Sequence, residues 1–221
     1  MCNNWPDFPI DLFGATGGLI GNTIIICGGY SDGYEGQCYS LTSEKAMKVH
    51  KMVTERMFAS SIVLNDNKLW VTGGYDSGIL ASTDYVTVTG SIHGPDLPMS
   101  LYRHAIVAIN STCSMVIAGR DSNWETSAST FSFDHNEGKW INGPSLMQEI
   151  FFHAAGIVTD EVTDENFVAV TGGYDYGADL ATLDSTEILQ DGNWVQGNIN
   201  DATICYLFGK LMVSRHFYRI S

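Results

Sequence analysis

VTGGYDSG occupies residues 71–78, and VTGGYDYG occupies residues 170–177. Two near-identical octapeptides in a chain of 221 residues mark an internal repeat, which decides the architecture before any single motif is weighed. Aligned on the double glycine, four units emerge. They are IIICGGYSDG with Gly28 and Gly29, LWVTGGYDSG with Gly73 and Gly74, SMVIAGRDSN with Ala118 and Gly119, and FVAVTGGYDYG with Gly172 and Gly173. The spacings are 45, 45 and 54 residues.

Other strands flank each pair in register. A first strand lies upstream, as ATGGLI (15–20), SSIVLN (60–65), AIVAIN (105–110) and AGIVTD (155–160). A third follows, as QCYSLT (37–42), TDYVTV (83–88), STFSFD (129–134) and STEILQ (185–190). A fourth is clearest as KWINGP (139–144) and NWVQG (193–197), and weaker near MKVHKM and SIHGPDLP. Of the nine extra residues in the last interval, five are assigned to DEVTDEN (160–166) and four to the turn FDHNEGKW (133–140). Insertions in polar turns are what a repeat of strands predicts. The strand before each glycine pair is almost continuously apolar, as for a strand covered on both faces. No helical periodicity of useful length appears. Four short strands per ~45–50 residues is the sequence form of a propeller blade.

On these residues the chain resembles the kelch-repeat β-propeller family. Gly28-Gly29, Gly73-Gly74 and Gly172-Gly173 match the family's glycine pair, and Ala118-Gly119 departs from it. Tyr39, Tyr85 and Phe131 supply third-strand aromatics, and Trp140 and Trp194 the fourth-strand tryptophans. Arg56 and Arg103, each ahead of a first strand, also fit. The Gly-His and Trp-Asp dipeptides of the WD-type propeller are lacking. The resemblance implies an all-β fold of one kelch-type domain over residues 1–221, with four four-stranded blades near 13–53, 54–101, 102–149 and 150–200. Residues 1–12 read as a stray fourth strand around Trp5, and 201–221 as a degenerate end. Kelch rings usually close with five or more blades. The expectation is therefore an incomplete ring from a longer chain, with an N-terminally completed fifth blade or a true four-blade ring as alternatives.

The bulk numbers bound the partners. A formal net charge of −14 disfavours nucleic acid and suits a basic partner, or serves solubility alone. No apolar run approaches the ~18 residues that span a bilayer, so no membrane association is expected. The start MCNNWPDFPIDL has no basic segment followed by an apolar one, so no signal peptide is expected. Cys2, Cys27, Cys38, Cys113 and Cys205 are odd in number without CxxC spacing, which reads as a reduced cytoplasmic protein. Two features point instead to secretion. Asn110-Ser111-Thr112 fits the glycosylation pattern, and Cys27 and Cys38 fall on neighbouring strands of a hairpin.

The resemblance also implies a binding face. In kelch domains the loops between second and third strands, with those leading into first strands, ring one mouth of the central channel. That face takes partner peptides, as in substrate adaptors of ubiquitin ligases. Tyr30, Tyr75, Arg120 and Tyr174 follow the glycine pairs, with Asp32, Asp76, Asp121 and Asp175 just beyond. Arg103 joins them, with Phe58 and Phe152 near it. Tyr and Arg combine contact area with directional donors. Aromatics edged by carboxylates suit a Lys- or Arg-bearing peptide. Arg103 and Arg120 suit an acidic side chain instead, and plain packing of each Tyr on its neighbouring loop is the structural alternative. The expected function is a non-catalytic protein-interaction module without metal or cofactor.

The competing reading is a secreted or sugar-active kelch protein, like the family's copper oxidases and sugar epimerases. His104 and His153 begin first strands and read as structural, and no histidine pair has metal-ligand spacing. No nucleophile elbow or phosphate loop is present.

Overall fold

The computed structural model describes residues 7–33, 36–42, 44–65, 68–160, 163–175 and 181–197. Trp5 and residues 201–221, read above as a stray strand and a degenerate end, lie outside them. The described chain is all-β, built from four antiparallel four-stranded sheets.

The first sheet holds β1 (Thr16–Ile20), β2 (Thr23–Cys27), β3 (Gln37–Leu41) and β4 (Ala46–Lys51). The second holds β5 (Ser60–Leu64), β6 (Lys68–Thr72), β7 (Thr83–Val86) and β8 (Ser91–His93). The third holds β9 (Ala105–Asn110), β10 (Cys113–Arg120), β11 (Thr126–Asp134) and β12 (Lys139–Asn142). In the fourth, β13 (Ala154–Thr159) and β14 (Asn166–Thr171) come first. A two-stranded ribbon, β15 (Tyr174–Asp175) and β16 (Ala181–Thr182), follows, and β17 (Thr186–Gln190) and β18 (Asn193–Gln196) complete the sheet. Each sheet is a simple meander in sequence order.

The sheets stack face to face, and the second strands show why the apolar runs are continuous. Leu69 and Val71 of β6 pack on Ile20, Ile25, Cys27 and Cys38 of the first sheet. Trp70, between them on the opposite face, packs on Ile106, Val116 and Phe133 of the third. All three are fully buried. Strand β10 repeats the pattern, with Val116 facing the second sheet and Met115 and Ile117 facing Val168 and Val170 of the fourth. Fourth-strand tryptophans tie neighbouring sheets. Trp140 Nε1 donates to the Asp96 carbonyl at 2.7 Å, and Trp194 Nε1 to that of Pro144 at 2.9 Å.

The innermost strands stand side by side in the order β1, β5, β9, β13. Among the described residues no comparable contact returns from β13 to β1, so the four sheets form an open, propeller-like fan. No helix among them is long and apolar enough to cross a membrane.

The register corrects one insertion. Ile117 pairs with Thr130 as Thr72 pairs with Thr83. The Gly143 N–H meets the Thr130 carbonyl as the Gly94 N–H meets that of Thr83. Gly119 to Thr130 is therefore two residues longer than Gly74 to Thr83, and Thr130 to Gly143 two longer than Thr83 to Gly94. Only half of the four residues assigned to the 133–140 turn belong there. The other half extend the loop after Gly119.

Candidate functional site

The loops after the glycine pairs share one end of the fan, and each is pinned to its own lead-in segment. Tyr30 bridges to Phe13, Tyr75 to Met57, Arg120 to Tyr102 and Tyr174 to Phe151. Both backbone hydrogen bonds form in every case, at 2.8–3.1 Å. The second glycine of a pair then reaches the next sheet. Gly29 donates to the Arg56 carbonyl at 2.8 Å, Gly74 to Leu101 at 2.8 Å and Gly119 to Ile150 at 2.9 Å. The four residues chosen from the sequence, Tyr30, Tyr75, Arg120 and Tyr174, thus occupy one equivalent rim position.

Inside this rim runs a second chain of bonds. Phe58 N–H donates to the Gly14 carbonyl at 2.8 Å, Arg103 N–H to Phe58 at 3.0 Å and Phe152 N–H to Arg103 at 2.9 Å. All four residues are left-handed, with φ of 70° at Gly14, 52° at Phe58, 54° at Arg103 and 58° at Phe152. Glycine adopts this freely, but a large side chain does so at a cost of order 1–3 kcal/mol. Three repeats carry that strain and project Phe58, Arg103 and Phe152 together. The Arg103 guanidinium lies 4.2 Å from the Phe58 ring centre and 3.8 Å from that of Phe152. The two rings are themselves 5.4 Å apart, edge to face, and Phe13 extends the cluster 5.0 Å beyond Phe58.

A second aromatic group flanks the first. Tyr75, Tyr102 and Trp124 contact one another with ring centres 5.6–6.2 Å apart. Trp124 sits in the loop lengthened by two residues, and it escaped the sequence reading because that insertion was assigned to another turn. An exposed Trp in the polar turn DSNWE was the available signal. Phe13, Tyr30, Trp124 and Phe152 are each roughly half exposed, at 54%, 44%, 48% and 44%.

The polar residues divide by task. Arg120 donates from Nε and Nη2 to the Trp124 carbonyl, and its guanidinium also lies 5.5 Å from the Trp124 and Phe151 rings. Asp121 Oδ1 accepts from the N–H groups of Asn123 and Glu125, so this carboxylate shapes its own turn. Asp76 and Asp175 are half-buried beside Tyr75 and Tyr174, while Asp32 is exposed.

The two arginines that precede first strands are not equivalent. Arg103 belongs to the rim, whereas Arg56 is fully buried. Arg56 donates to the Gly73 and Ser82 carbonyls at 2.7 and 2.6 Å and to Asp84 Oδ1 at 3.1 Å. Burial draws its guanidinium below the ordinary value, against the opposing pull of Asp84, Asp76 and Asp96. Asp84 also accepts from Thr54 N–H, and Glu187 of β17 likewise accepts from the N–H groups of Met147 and Gln148. These third-strand carboxylates clamp lead-in segments.

His104 and His153 lie beneath the rim. His104 Nε2 is 2.9 Å from Thr72 Oγ1. Burial, with His153 and Arg56 nearby, lowers its pKa to about 3, and burial lowers that of His153 to about 4. Among the described residues no three His, Cys, Asp or Glu side chains gather as a metal set would require. Cys27 and Cys38, for which the sequence left both a reduced state and a hairpin pair open, face each other across β2 and β3 and form a disulfide.

No protein-family model and no curated protein sequence matches the chain. Among solved structures it is similar to YjhT, a known β-propeller, at 14% identity and a TM-score of 0.72, over 87% of this chain and 72% of that one. At that identity the likeness speaks to the fold alone.

Proposed function

We propose that the chain is a kelch-type propeller segment that acts as a non-catalytic protein-interaction module, taking a partner peptide or domain on its loop rim. The observation that carries this reading is the left-handed triplet Phe58, Arg103 and Phe152. Strain held in several repeats at one place is characteristic of sites that position side chains for a ligand. Half-exposed Phe13, Tyr30 and Trp124 surround it, with Tyr75, Tyr174 and Arg120 behind, a mix typical of binding hot spots. Asp76, Asp121 and Asp175 edge the same rim. The glycine pairs and the tryptophans bonded to neighbouring sheets support the kelch assignment. A substrate-adaptor role for a ubiquitin ligase is the kelch precedent for such a rim.

The test is affinity capture with two double variants, Tyr75→Ala with Tyr174→Ala and Trp124→Ala with Phe152→Ala. Loss of a partner by variants that keep their unfolding midpoint supports the rim. Unchanged capture by both overturns it.

A secreted kelch protein, with the sugar-active members as its relatives, is the second reading. The disulfide between Cys27 and Cys38 favours an oxidising compartment over the cytoplasm for either function.

A further inference from the structure

We propose that Asn110 is a site of N-linked glycosylation. Asn110-Ser111-Thr112 is the single Asn-X-Ser/Thr triplet in the sequence. The triplet alone is weak, since modification also needs an accessible turn, a free amide nitrogen and the secretory compartment. The structure supplies an independent observation for each.

The triplet forms the turn from β9 to β10, and all three residues are exposed. The register slips here, with Cys113 opposite Asn110 but Ser114 opposite Ala108. Ile109 is thus bulged out of the ladder just before the turn that Asn110 and Cys113 close. Ser111 borders an open cleft of about 430 Å³ whose walls include Lys68, Tyr85, Phe133 and His135, so no packed element covers it. The turn lies at the opposite end of the sheet from the β10–β11 loop. A glycan here leaves the rim clear, and the inference stands apart from the rim reading.

The side chains are arranged for transfer. Asn110 Oδ1 accepts from the Thr112 N–H at 2.8 Å and from the Thr112 hydroxyl at 3.0 Å. Its Nδ2, the atom to be glycosylated, makes no hydrogen bond among the described residues. The third-residue hydroxyl thus polarises the carboxamide through its oxygen. In the transfer, Nδ2 bonds to the anomeric carbon of an N-acetylhexosamine supplied by a lipid-linked oligosaccharyl diphosphate. The bond from that carbon to the diphosphate oxygen breaks, the diphosphate leaves with the electron pair, and Nδ2 gives one proton to a base of the transferase.

The compartment follows from the cysteines. Cys27 and Cys38 are bonded and fully buried, and such bonds persist where the surroundings oxidise. Cys113, next to the triplet, keeps a free thiol. Burial pushes its pKa up, so it stays protonated and slow to exchange.

The test is peptide mass mapping of the chain isolated from the cells that make it, before and after enzymatic release of N-glycans. Expected are a hexosamine-based glycan on the Asn110 peptide, conversion of Asn110 to aspartate on release, and a bonded Cys27–Cys38 pair. Unmodified Asn110 in all molecules overturns the proposal, whatever the state of the cysteines. In a secreted form, Asn110→Gln and Thr112→Ala should each lose the glycan, and Thr112→Ser should keep it. A glycan retained by Asn110→Gln also overturns the assignment. All three variants lie in an exposed turn, so folding does not confound them.

Discussion

Asp84 Oδ1 stands 3.1 Å from Arg56 Nη2 with neither side chain exposed at all. Removing one partner leaves a buried charge without compensation, at a cost of about 3–5 kcal/mol. Asp84→Ala should therefore lower unfolding stability by that order. Glu55→Ala, which removes an exposed pair with Lys51, should change it by less than about 1 kcal/mol. Denaturant titration of both variants checks the contrast, and equal effects would refute the clamp.

Gly74 makes the joint between the second and third sheets at φ 102°, and a Cβ there would sit 2.8 Å from the Met57 carbonyl oxygen. Gly192 also has a positive φ, 76°, but nothing lies within 4 Å of its missing Cβ. Gly192→Ala should cost ~1 kcal/mol from backbone strain alone. Gly74→Ala should cost clearly more, since a carbonyl must also move. Comparable unfolding midpoints for the two variants would remove the close approach from the account.

The disulfide closes a loop with a sequence separation of 11. Loop-closure entropy for that length is worth about 3 kcal/mol. Reduction, or replacement of both Cys27 and Cys38 by Ala, should lower stability by about 2–3 kcal/mol. The measurement is the unfolding midpoint with and without reductant, with the double variant insensitive to it.

His104 and His153 predict an acid-side loss of stability. Their folded pKa values, about 3 and about 4, lie below the ordinary 6.5. The unfolded chain therefore binds more protons as pH falls below 6.5. Stability should be full above that pH and decline toward the folded values, by about 3 kcal/mol for each histidine at pH 4. Denaturation from pH 7 to pH 4 measures the slope. Substituting Gln at both positions should flatten it, and an unchanged slope would assign the effect to other groups.

The strand pattern was legible because it is local. Alternate faces of β6 are both covered, so KLWVT reads as one apolar run, and even the weak fourth strands near MKVHKM and SIHGPDLP form as β4 and β8. The rim positions of Tyr30, Tyr75, Arg120 and Tyr174 were legible for the same reason, since each follows a glycine pair. What escaped depends on pairing between distant segments. Only the register of Ile117 with Thr130 reveals that the loop after Gly119 is longer and carries Trp124. Nothing adjacent to Arg56 or Arg103 tells that the first turns inward to Asp84 and the second stacks between two phenylalanines.

The backbone bonds from Phe58 to Gly14, Arg103 to Phe58 and Phe152 to Arg103 all run in one sense. Each joint offers an amide backward and a carbonyl forward, so the junction is vectorial and identical at every step. The side chains at these joints take no part in the bonds themselves, which is why Gly14, Phe58 and Arg103 can all serve as acceptors in the same series.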